Sequence, residues 1–333
     1  MTRAIGTAVV MITGASTGIG RATALEFARQ GATVVVSSRR PHVLQRLVEH
    51  CEKLGGRALA LPADVTDHEA IQSVARQVVD TCGRIDVWVN NAAVTLFARL
   101  EEAPYDAYRR VIETNLFGYI HGARAVLPYF RAQGRGTLIN VASVVGKIGS
   151  PYVSAYTASK FAIVGWSESL RMELQDAPDI HVCTVLPASI DTPLFQHAAN
   201  FTRRAVKPLE PIYRAEQVAH AIVDLARRPR RELIVGTAAQ FETLLHTVAP
   251  GVTERRFAQQ VEHDHFQDRP APDSPGNLFQ PREDYESVSG GWSTASPRGT
   301  WSGRVGAAAL GLGLGLLLTG GLRPLLAQPR RLG

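Results

Sequence analysis

The sequence predicts an α/β fold, a doubly wound parallel sheet in a single domain with a C-terminal extension. Up to about residue 236, short strand-like runs alternate with helix-length segments. The strand-like runs are apolar throughout, as expected of parallel strands that helices cover on both faces. A glycine-rich turn also joins the first strand to the first helix. The 333 residues are 45% hydrophobic, enough for one large domain and an appendage.

Seven runs rich in β-branched residues are predicted as strands: 8–12, 33–37, 57–61, 85–90, 136–142, 180–186 and 232–235. Apolar residues at three- to four-residue spacing predict the intervening helices at 20–30, 42–54, 68–81, 105–131, 152–175 and 215–227. Strands that alternate with helices favour an open sheet whose ligand crevice lies at the carboxyl ends of the strands.

The pattern changes after the seventh strand. Two further helices are predicted at 238–248 and 252–261, so the main domain is placed at 1–262. Residues 263–304 contain much Pro, Ser, Gly, Asp and Arg and are predicted to be a flexible linker. Residues 305–322 carry no charge but several glycines; a membrane anchor and a docked or disordered segment both stay open. Residues 323–333 form a basic tail.

Composition and charge exclude several classes of protein. The formal net charge is +6, but the basic residues are scattered and form no stripe interleaved with aromatics, which argues against nucleic acid. The three cysteines form no Cys-x-x-Cys pair, which argues against a disulfide framework and fits a reducing compartment. No metal site is predicted, because His263-Asp264-His265 stands in a polar tail and is interpreted as solvent-exposed. No apolar signal-peptide core precedes the first strand, so the cytoplasm is expected.

The turn after the first strand is a candidate phosphate site. It runs Thr13-Gly14-Ala15-Ser16-Thr17-Gly18-Ile19-Gly20 and leads directly into the first helix. Glycines allow a tight turn and a close approach of the backbone to a pyrophosphate. The helix N-terminus directs unpaired N–H groups at the anion. Because the motif lies between a buried strand and a helix, a nucleotide site is favoured over an unliganded turn.

The end of the second strand bears on the choice of cofactor. An acidic side chain there would bind the adenosine ribose and repel a 2′-phosphate. This chain has Ser37-Ser38-Arg39-Arg40 instead. A serine hydroxyl and a guanidinium both donate to phosphate, so NADP (NADPH) is predicted with Ser38 and Arg39 as 2′-phosphate ligands, and NAD is less favoured. The alternative is that the arginines only begin a solvated helix.

A tyrosine–lysine pair suggests acid/base chemistry. Tyr156 and Lys160 are four residues apart on a predicted helix and share one face. A nearby ammonium favours the phenolate and is expected to lower the pKa of Tyr156, which helps proton exchange with a substrate oxygen. Ser143 ends the fifth strand, where its hydroxyl reaches the crevice. Asn115 is an amide inside an apolar helix, a position that needs hydrogen-bond partners.

These motifs together resemble the short-chain dehydrogenase/reductase family over about residues 7–240. Its signatures Thr-Gly-x-x-x-Gly-x-Gly, Asn-Asn-Ala-Gly and Tyr-x-x-x-Lys match this chain, except that Ala93 replaces the glycine of the second motif. The resemblance implies a Rossmann fold and hydride transfer between a nicotinamide and a small-molecule carbonyl or alcohol. It also implies a tetrad of Asn115, Ser143, Tyr156 and Lys160. Tyr156 would be the acid/base, Ser143 would fix the substrate oxygen, Lys160 would hold the nicotinamide ribose and Asn115 would retain a water.

The resemblance also implies further cofactor contacts. They are Gly14, Ser16, Thr17, Gly18, Ile19, Gly20, Asp64, Val65, Asn91, Ala92, Tyr156, Lys160, Pro187, Ile190 and Thr192. Ala188 replaces the glycine that usually follows the proline, and residues 193–211 correspond to the substrate lid. Thr17 departs from the basic residue that many NADP-preferring relatives carry there. The family commonly pairs its two long crossover helices, so a homodimer or homotetramer is expected. A non-catalytic nucleotide sensor or scaffold on the same fold is the alternative.

Overall fold

The computed structural model describes residues 4–293 and contains a seven-stranded, wholly parallel central sheet. The strands are β1 Val9–Thr13, β2 Thr33–Ser37, β3 Arg57–Ala60, β4 Val87–Asn90, β5 Gly136–Val141, β6 Ile180–Pro187 and β7 Glu232–Val235. Their order across the sheet is β3-β2-β1-β4-β5-β6-β7. The doubly wound α/β fold predicted from the sequence is therefore confirmed, and the order reverses between β1 and β4.

Helices cover both faces of this sheet. They are α1 Gly18–Arg29, α2 Pro41–Lys53, α3 His68–Cys82, α4 Tyr105–Ile112, α5 Gly118–Gln133, α6 Ser154–Glu173 and α7 Ala215–Arg227. Apolar side chains of α1, α2 and α7 pack on one face, and those of α3, α5 and α6 pack on the other. Burial on both faces explains why the strands consist of uninterrupted apolar runs.

One predicted helix differs in its interior. The sequence predicted a continuous helix over 105–131, but α4 and α5 are separated by a π-helical turn at Glu113–Phe117. Asn115 lies in the middle of this turn and is fully buried. A π-turn changes the direction of the side chains without ending the helix, which places Asn115 against the loop after β4.

Short strand pairs stabilise the loops at the carboxyl ends of the sheet. Leu96–Phe97 pairs with Ala199–Asn200, and Ile190–Asp191 pairs with Tyr213–Arg214. Beyond β7 the chain forms α8 Thr237–Val248 and α9 Pro250–Asp264, and then a strand, Phe266–Pro270, antiparallel to Arg204–Val206.

The described part of the predicted linker, 263–304, is folded onto the domain. Phe266 and Leu278 are buried, and the chain from 271 to 293 hydrogen-bonds to the loops at the carboxyl ends of the strands. The prediction of a flexible linker is therefore wrong for residues 263–293. The sequence did not indicate these contacts because they depend on isolated apolar residues and backbone carbonyls rather than on a periodic pattern. Within residues 4–293 no helix is long and apolar enough to cross a membrane. The predicted anchor, 305–322, and the basic tail, 323–333, lie outside the described residues.

Candidate active site

A cleft of about 320 Å³ opens at the carboxyl ends of the strands, beside the point where the strand order reverses. Loops that follow β1, β2, β4, β5 and β6 line it. Every predicted site residue except Gly20 and Asn115 lies on its wall: Gly14, Ser16, Thr17, Gly18, Ile19, Ser38, Arg39, Asp64, Val65, Asn91, Ala92, Ser143, Tyr156, Lys160, Pro187, Ile190 and Thr192. The topology therefore brings together residues that are up to about 180 positions apart in the sequence.

The glycine-rich turn is packed too tightly for larger residues. Gly14 has a φ of +65°, and a Cβ there would lie 2.5 Å from the Cα of Ala92. A Cβ on Gly20 would lie 2.4 Å from the carbonyl oxygen of Gly14. The Asn91 amide donates to the carbonyl oxygens of Thr13 (3.1 Å) and Gly14 (3.0 Å). The turn is thus held against the β4 loop, and α1 begins at Gly18 with its N-terminus at the cleft.

The residues after β2 form a basic wall. The Ser38 hydroxyl accepts a hydrogen bond from the backbone N–H of Arg40 at 3.2 Å. The Arg39 guanidinium lies 3.9 Å from a carboxylate oxygen of Asp64 and also donates to backbone carbonyls of the C-terminal segment. Arg40 is only 4% exposed, and its Nε and Nη1 have no hydrogen-bond partner among the described residues. Arg40 was not among the site residues predicted from the sequence.

Asp64 connects the loop after β3 to α4, the helix that precedes the π-turn of Asn115. Its carboxylate accepts hydrogen bonds from the Thr66 backbone N–H (3.0 Å) and hydroxyl (2.9 Å) and pairs with Arg110 at 2.7 Å. Burial alone would raise the pKa of Asp64, but the hydrogen bonds from Thr66 and the charges of Arg110 and Arg39 hold it below the usual value. Asp64 therefore stays ionised on the wall of the cleft.

The tyrosine, lysine and serine meet where β5 ends and α6 begins. Ser143 follows β5 and its side chain hydrogen-bonds the Tyr156 side chain. Lys160 is 1% exposed, and its Nζ lies 5.3 Å from the centroid of the Tyr156 ring. The Lys160 ammonium donates to the Val141 carbonyl oxygen at 2.8 Å and to the Tyr119 hydroxyl at 3.4 Å. One helical turn of α6 thus directs both residues of the pair into the cleft.

Burial dominates the electrostatics of this pair. It raises the pKa of Tyr156 to about 12, although the Ser143 hydrogen bond lowers it in part. It lowers the pKa of Lys160 from 10.5 to about 7. From the sequence, the Lys160 ammonium was expected to lower the pKa of Tyr156. The structure instead gives a protonated phenol, because both groups lose water in the same apolar pocket and each favours its neutral form.

Asn115 does not line the cleft but hydrogen-bonds residues that do and residues next to them. Its Oδ1 accepts from the Val94 N–H at 2.9 Å, and its Nδ2 donates to the Val94 carbonyl (3.0 Å) and the Ser159 hydroxyl (3.1 Å). Ser159 in turn donates to the carbonyl oxygen of Tyr156 at 2.6 Å. The amide therefore connects the loop after β4 to the turn of α6 that holds the tyrosine.

The space next to Tyr156 is mainly apolar. Val94, Phe97, Val153 and Phe195 line the cleft there. The ring of His265 contacts Phe97 edge-on, with centroids 5.0 Å apart. His265 is only 7% exposed and burial lowers its pKa to about 4, so the expectation that it is solvent-exposed was wrong. The antiparallel pairing of the strand that follows it draws His265 into this wall.

The fold and cleft define a dinucleotide-binding α/β oxidoreductase, and comparison with known proteins gives the family. The family model described as short chain dehydrogenase matches residues 8–202. The chain belongs to the short-chain dehydrogenase/reductase family and is an NAD(P)-dependent enzyme of that family.

Several curated proteins are similar to this chain. The uncharacterized oxidoreductase YxnA of Bacillus subtilis is 35% identical over 266 residues, 79% of this chain and 75% of the relative. A 3-oxoacyl-[acyl-carrier-protein] reductase of Thermotoga maritima is 38% identical and covers 66% of this chain and 89% of its own. The cyclohexanol dehydrogenase of an Acinetobacter strain is 34% identical, with 65% and 86% covered.

Two solved structures share the fold. A short-chain dehydrogenase/reductase from Burkholderia phymatum in complex with NAD has a TM-score of 0.69 at 24% identity and covers 75% of this chain and 96% of its own. An alcohol dehydrogenase from Thermococcus sibiricus complexed with 5-hydroxy-NADP has a TM-score of 0.61 at 26% identity, with 68% and 95% covered. Since one holds NAD and the other an NADP derivative, these structures leave the cofactor preference open.

Proposed function

We propose that the protein is an NADP-dependent oxidoreductase that interconverts a carbonyl and an alcohol, with Tyr156 as the acid/base. The observation that carries the proposal is the placement of the Tyr156 side chain: it hydrogen-bonds Ser143 and lies over Lys160 on the wall of the cleft. A nucleotide sensor on the same fold would need the glycine-rich turn but not this arrangement. The named activities of the Thermotoga reductase and the Acinetobacter dehydrogenase also support carbonyl and alcohol chemistry.

The chain's own residues fit a dinucleotide. Side chains are absent at Gly14 and Gly18, where the first helix begins at the cleft, so a pyrophosphate can approach the backbone there. Asp64 and Val65 follow β3 on one side of the point where the strand order reverses, and Pro187, Ile190 and Thr192 belong to the end of β6 and its loop on the other side. When bound, the cofactor supplies the hydride.

The protein groups then handle the proton. Tyr156 donates its phenolic proton to the oxygen of the carbonyl, while the carbon of that carbonyl receives the hydride and the product is an alcohol. A pKa of about 12 keeps this proton on the phenol until the substrate oxygen becomes basic. Ser143 orients the same oxygen by hydrogen bonding. Lys160, buried beneath the ring, stabilises the phenolate that remains, and Asn115 positions the helical turn that carries both.

The basic wall supports a preference for the phosphorylated cofactor. No acidic side chain follows β2, and Ser38, Arg39 and Arg40 line the cleft there. The Arg40 guanidinium is buried with two nitrogen atoms, Nε and Nη1, that lack a partner among the described residues, which is costly unless an anion binds nearby. We therefore add Arg40 to Ser38 and Arg39 as a ligand of the 2′-phosphate.

The apolar pocket beside Tyr156 favours an apolar substrate. Val94, Phe97, Val153 and Phe195 offer no charge that would bind an anionic group next to the reacting carbon. A 3-ketodihydrosphingosine reductase of Bacteroides thetaiotaomicron, 37% identical over 55% of this chain and 64% of the relative, supports the same class. We infer a hydrophobic ketone or secondary alcohol.

The proposed oligomer forms through the two long crossover helices predicted from the sequence, which are α4–α5 and α6 in the structure. Tyr105 is 78% exposed on α4, and Phe117, Phe161 and Met172 are exposed on the π-turn and α6. These exposed apolar side chains support a homo-oligomer formed through α4–α6. Small-angle scattering at micromolar concentration should give at least twice the monomer mass; a monomer mass would overturn this part of the proposal.

Fluorescence titration and turnover test the function. Wild type should bind NADPH at least tenfold more tightly than NADH. Arg39→Ala and Arg40→Ala should each reduce this preference, while the matched control Arg109→Ala, an exposed arginine of α4, should not. Tyr156→Phe should bind NADPH as wild type does but lose more than about 99% of turnover on a panel of apolar ketones. Tighter NADH binding would overturn the cofactor choice, and tight binding without turnover by wild type would favour a sensor.

A further inference from the structure

The cofactor cleft has an outer wall that the family model does not include. Residues 277–293, called the strap below, cross the mouth of the cleft from the carboxyl end of β2 to that of β6. The matched family region ends at residue 202. Four of the strap's contacts with the domain lie at or next to residues that are expected to contact the cofactor.

The first contact is with Arg39. Its guanidinium donates to the backbone carbonyl oxygens of Asn277 (2.5 Å), Leu278 (3.1 Å) and Phe279 (3.3 Å). Arg110 donates to the same Leu278 oxygen at 3.0 Å. The Leu278 side chain is fully buried in an apolar cluster, so the start of the strap is fixed by packing as well as by charge.

The second contact is electrostatic. Glu286 pairs with Arg46, whose Nε lies 3.0 Å from Oε2, and lies 3.9 Å from Arg40. The carbonyl oxygen of Glu283 accepts from Arg40 at 2.6 Å, and its carboxylate lies 2.6 Å from the ring of His42. The acidic residues of the strap therefore lie against the basic wall that follows β2.

The third contact is on the phosphate-binding turn. The backbone N–H of Gly18, the first residue of α1, donates to the Ser287 carbonyl oxygen at 3.1 Å. The first N–H groups of a helix have no intrahelical acceptor, so the strap supplies one. The strap thus crosses the cleft at the position of the predicted pyrophosphate.

The fourth contact fixes the end of the strap to Asp191. This buried carboxylate accepts hydrogen bonds from the hydroxyls of Ser289 (2.6 Å) and Ser293 (2.7 Å) and from the N–H groups of Gly290 (2.9 Å) and Trp292 (3.0 Å). Burial would raise the pKa of Asp191, but these donors hold it below the usual value. Asp191 lies between Ile190 and Thr192, both on the cleft wall.

A cavity remains beneath the strap. Ser16 to Ile19 and Ser38 line its inner side, and Asn277, Pro281 and Arg282 of the strap line its outer side. The Asn277 side-chain oxygen is buried and has no hydrogen-bond partner among the described residues. Strap residues thus cover this space without filling it.

We propose that residues 277–293 form the outer wall of the dinucleotide site and retain the bound cofactor, so that the strap must detach before the cofactor can exchange. This inference rests on the proposed function, because it assumes that a nicotinamide dinucleotide occupies the cleft. The strap then slows both entry and release of the cofactor.

The test uses the full chain and stopped-flow fluorescence of NADPH. Gly290→Ala adds one methyl group that would lie 2.4 Å from the Thr192 carbonyl oxygen, so the end of the strap has to shift. Gly251→Ala is the matched control, since a Cβ there meets no atom within 4 Å. Ser289→Ala/Ser293→Ala is a second strap variant, which removes two hydroxyl donors to Asp191 without adding volume. Ser73→Ala/Asp176→Asn is its surface control.

Both strap variants should release NADPH at least tenfold faster than wild type and bind it at least threefold faster, whereas both controls should match wild type. Unchanged rates in both strap variants, with wild type binding NADPH, would overturn the strap proposal and leave the proposed function standing. Binding by the strap variants but not by wild type would also overturn retention, because the strap would then block the site. No dinucleotide binding by any of these proteins would overturn both proposals together.

Discussion

The charge state of Lys160 makes the stability of the protein depend on pH in a defined direction. The lysine is buried under the Tyr156 ring, and its pKa falls from 10.5 to about 7 because burial disfavours the ammonium. Between these two values the unfolded chain binds a proton that the folded chain does not. The free energy of unfolding therefore rises with pH from about 7 to about 10.5, and the full penalty of the buried lysine is present below pH 7.

The size of the effect follows from the same two values. Each pH unit in this window adds about 1.4 kcal/mol, and the whole difference corresponds to an upper limit of about 5 kcal/mol. Replacing Lys160 by methionine removes the titration and also removes the hydrogen bond to the Val141 carbonyl. The lost hydrogen bond changes stability by nearly the same amount at every pH, so it does not affect the slope.

Urea unfolding of nucleotide-free wild type and Lys160→Met at pH 7.5, 8.25 and 9.0 measures the slope. The free energy of unfolding of wild type minus that of Lys160→Met should increase by about 2 kcal/mol from pH 7.5 to pH 9.0. Taking the difference cancels the titration of other groups, such as Cys51, whose raised pKa both proteins share. Parallel curves would refute the reasoning, because they would mean that Lys160 has the same pKa in the folded and unfolded chains.

Three further substitutions test the site. Gly14→Ala should abolish detectable NADPH binding in fluorescence titration, because its Cβ would lie 2.5 Å from the Ala92 Cα; binding as tight as that of wild type would contradict the assigned turn. Asn115→Ala should lower the free energy of unfolding by about 2–3 kcal/mol in urea, since it leaves both Val94 backbone groups without partners; a loss below about 0.5 kcal/mol would contradict this. Ser143→Ala should leave NADPH affinity unchanged but shift the pH profile of turnover, because its hydrogen bond lowers the pKa of Tyr156; an unchanged profile would remove Ser143 from the proton path.

The sheet was predictable because its five central strands are buried on both faces, and the two edge strands, β3 and β7, are half-buried and mostly apolar. The predicted bounds of β2 and β7, 33–37 and 232–235, coincide with those of the structure, and the other five strands differ by two residues or fewer at each end. Helix α7 also has its predicted bounds, 215–227. In all of these, apolar periodicity and burial agree, so a local pattern suffices.

The site residues were predictable as a set, but their electrostatics were not. Motif order placed Ser143, Tyr156 and Lys160 on one cleft, and the structure brings them together there. Spacing alone suggested that Lys160 lowers the pKa of Tyr156. Burial instead raises the pKa of Tyr156 and lowers the pKa of Lys160. The extent of burial depends on the residues of α5 and β5 that pack around the pair, and a four-residue motif does not contain that information.

The π-turn at Asn115 was not predictable for a similar reason. Its residues continue the apolar spacing of a helix, and nothing in their order indicates the extra residue in the turn. The buried amide was a signal, since an asparagine in an apolar helix needs partners. Those partners, Val94 and Ser159, lie on two other elements and become visible only in three dimensions.

The strap was missed because its contacts do not depend on a sequence pattern. Arg39 binds three consecutive backbone carbonyls, which any residues could supply, and Gly18 binds a fourth. The turn-rich composition of 263–304 described the local conformation of the segment but not where it lies. The signal that was available is charge: Glu283, Asp284 and Glu286 are three acidic residues close together in a chain whose net charge is +6 and which has an arginine-rich wall.

The strap and the proposed 2′-phosphate site share residues, and this determines how the cofactor experiments must be compared. Arg39 holds three carbonyls of the strap, so Arg39→Ala removes a proposed phosphate ligand and loosens the strap at once. Loss of the phosphate contact weakens NADPH binding but leaves NADH unchanged, because NADH has no 2′-phosphate. Loosening of the strap raises the release rates of both dinucleotides, because the strap covers the part of the cleft that they share. Measuring both cofactors on the same variant therefore separates the choice of cofactor from its retention.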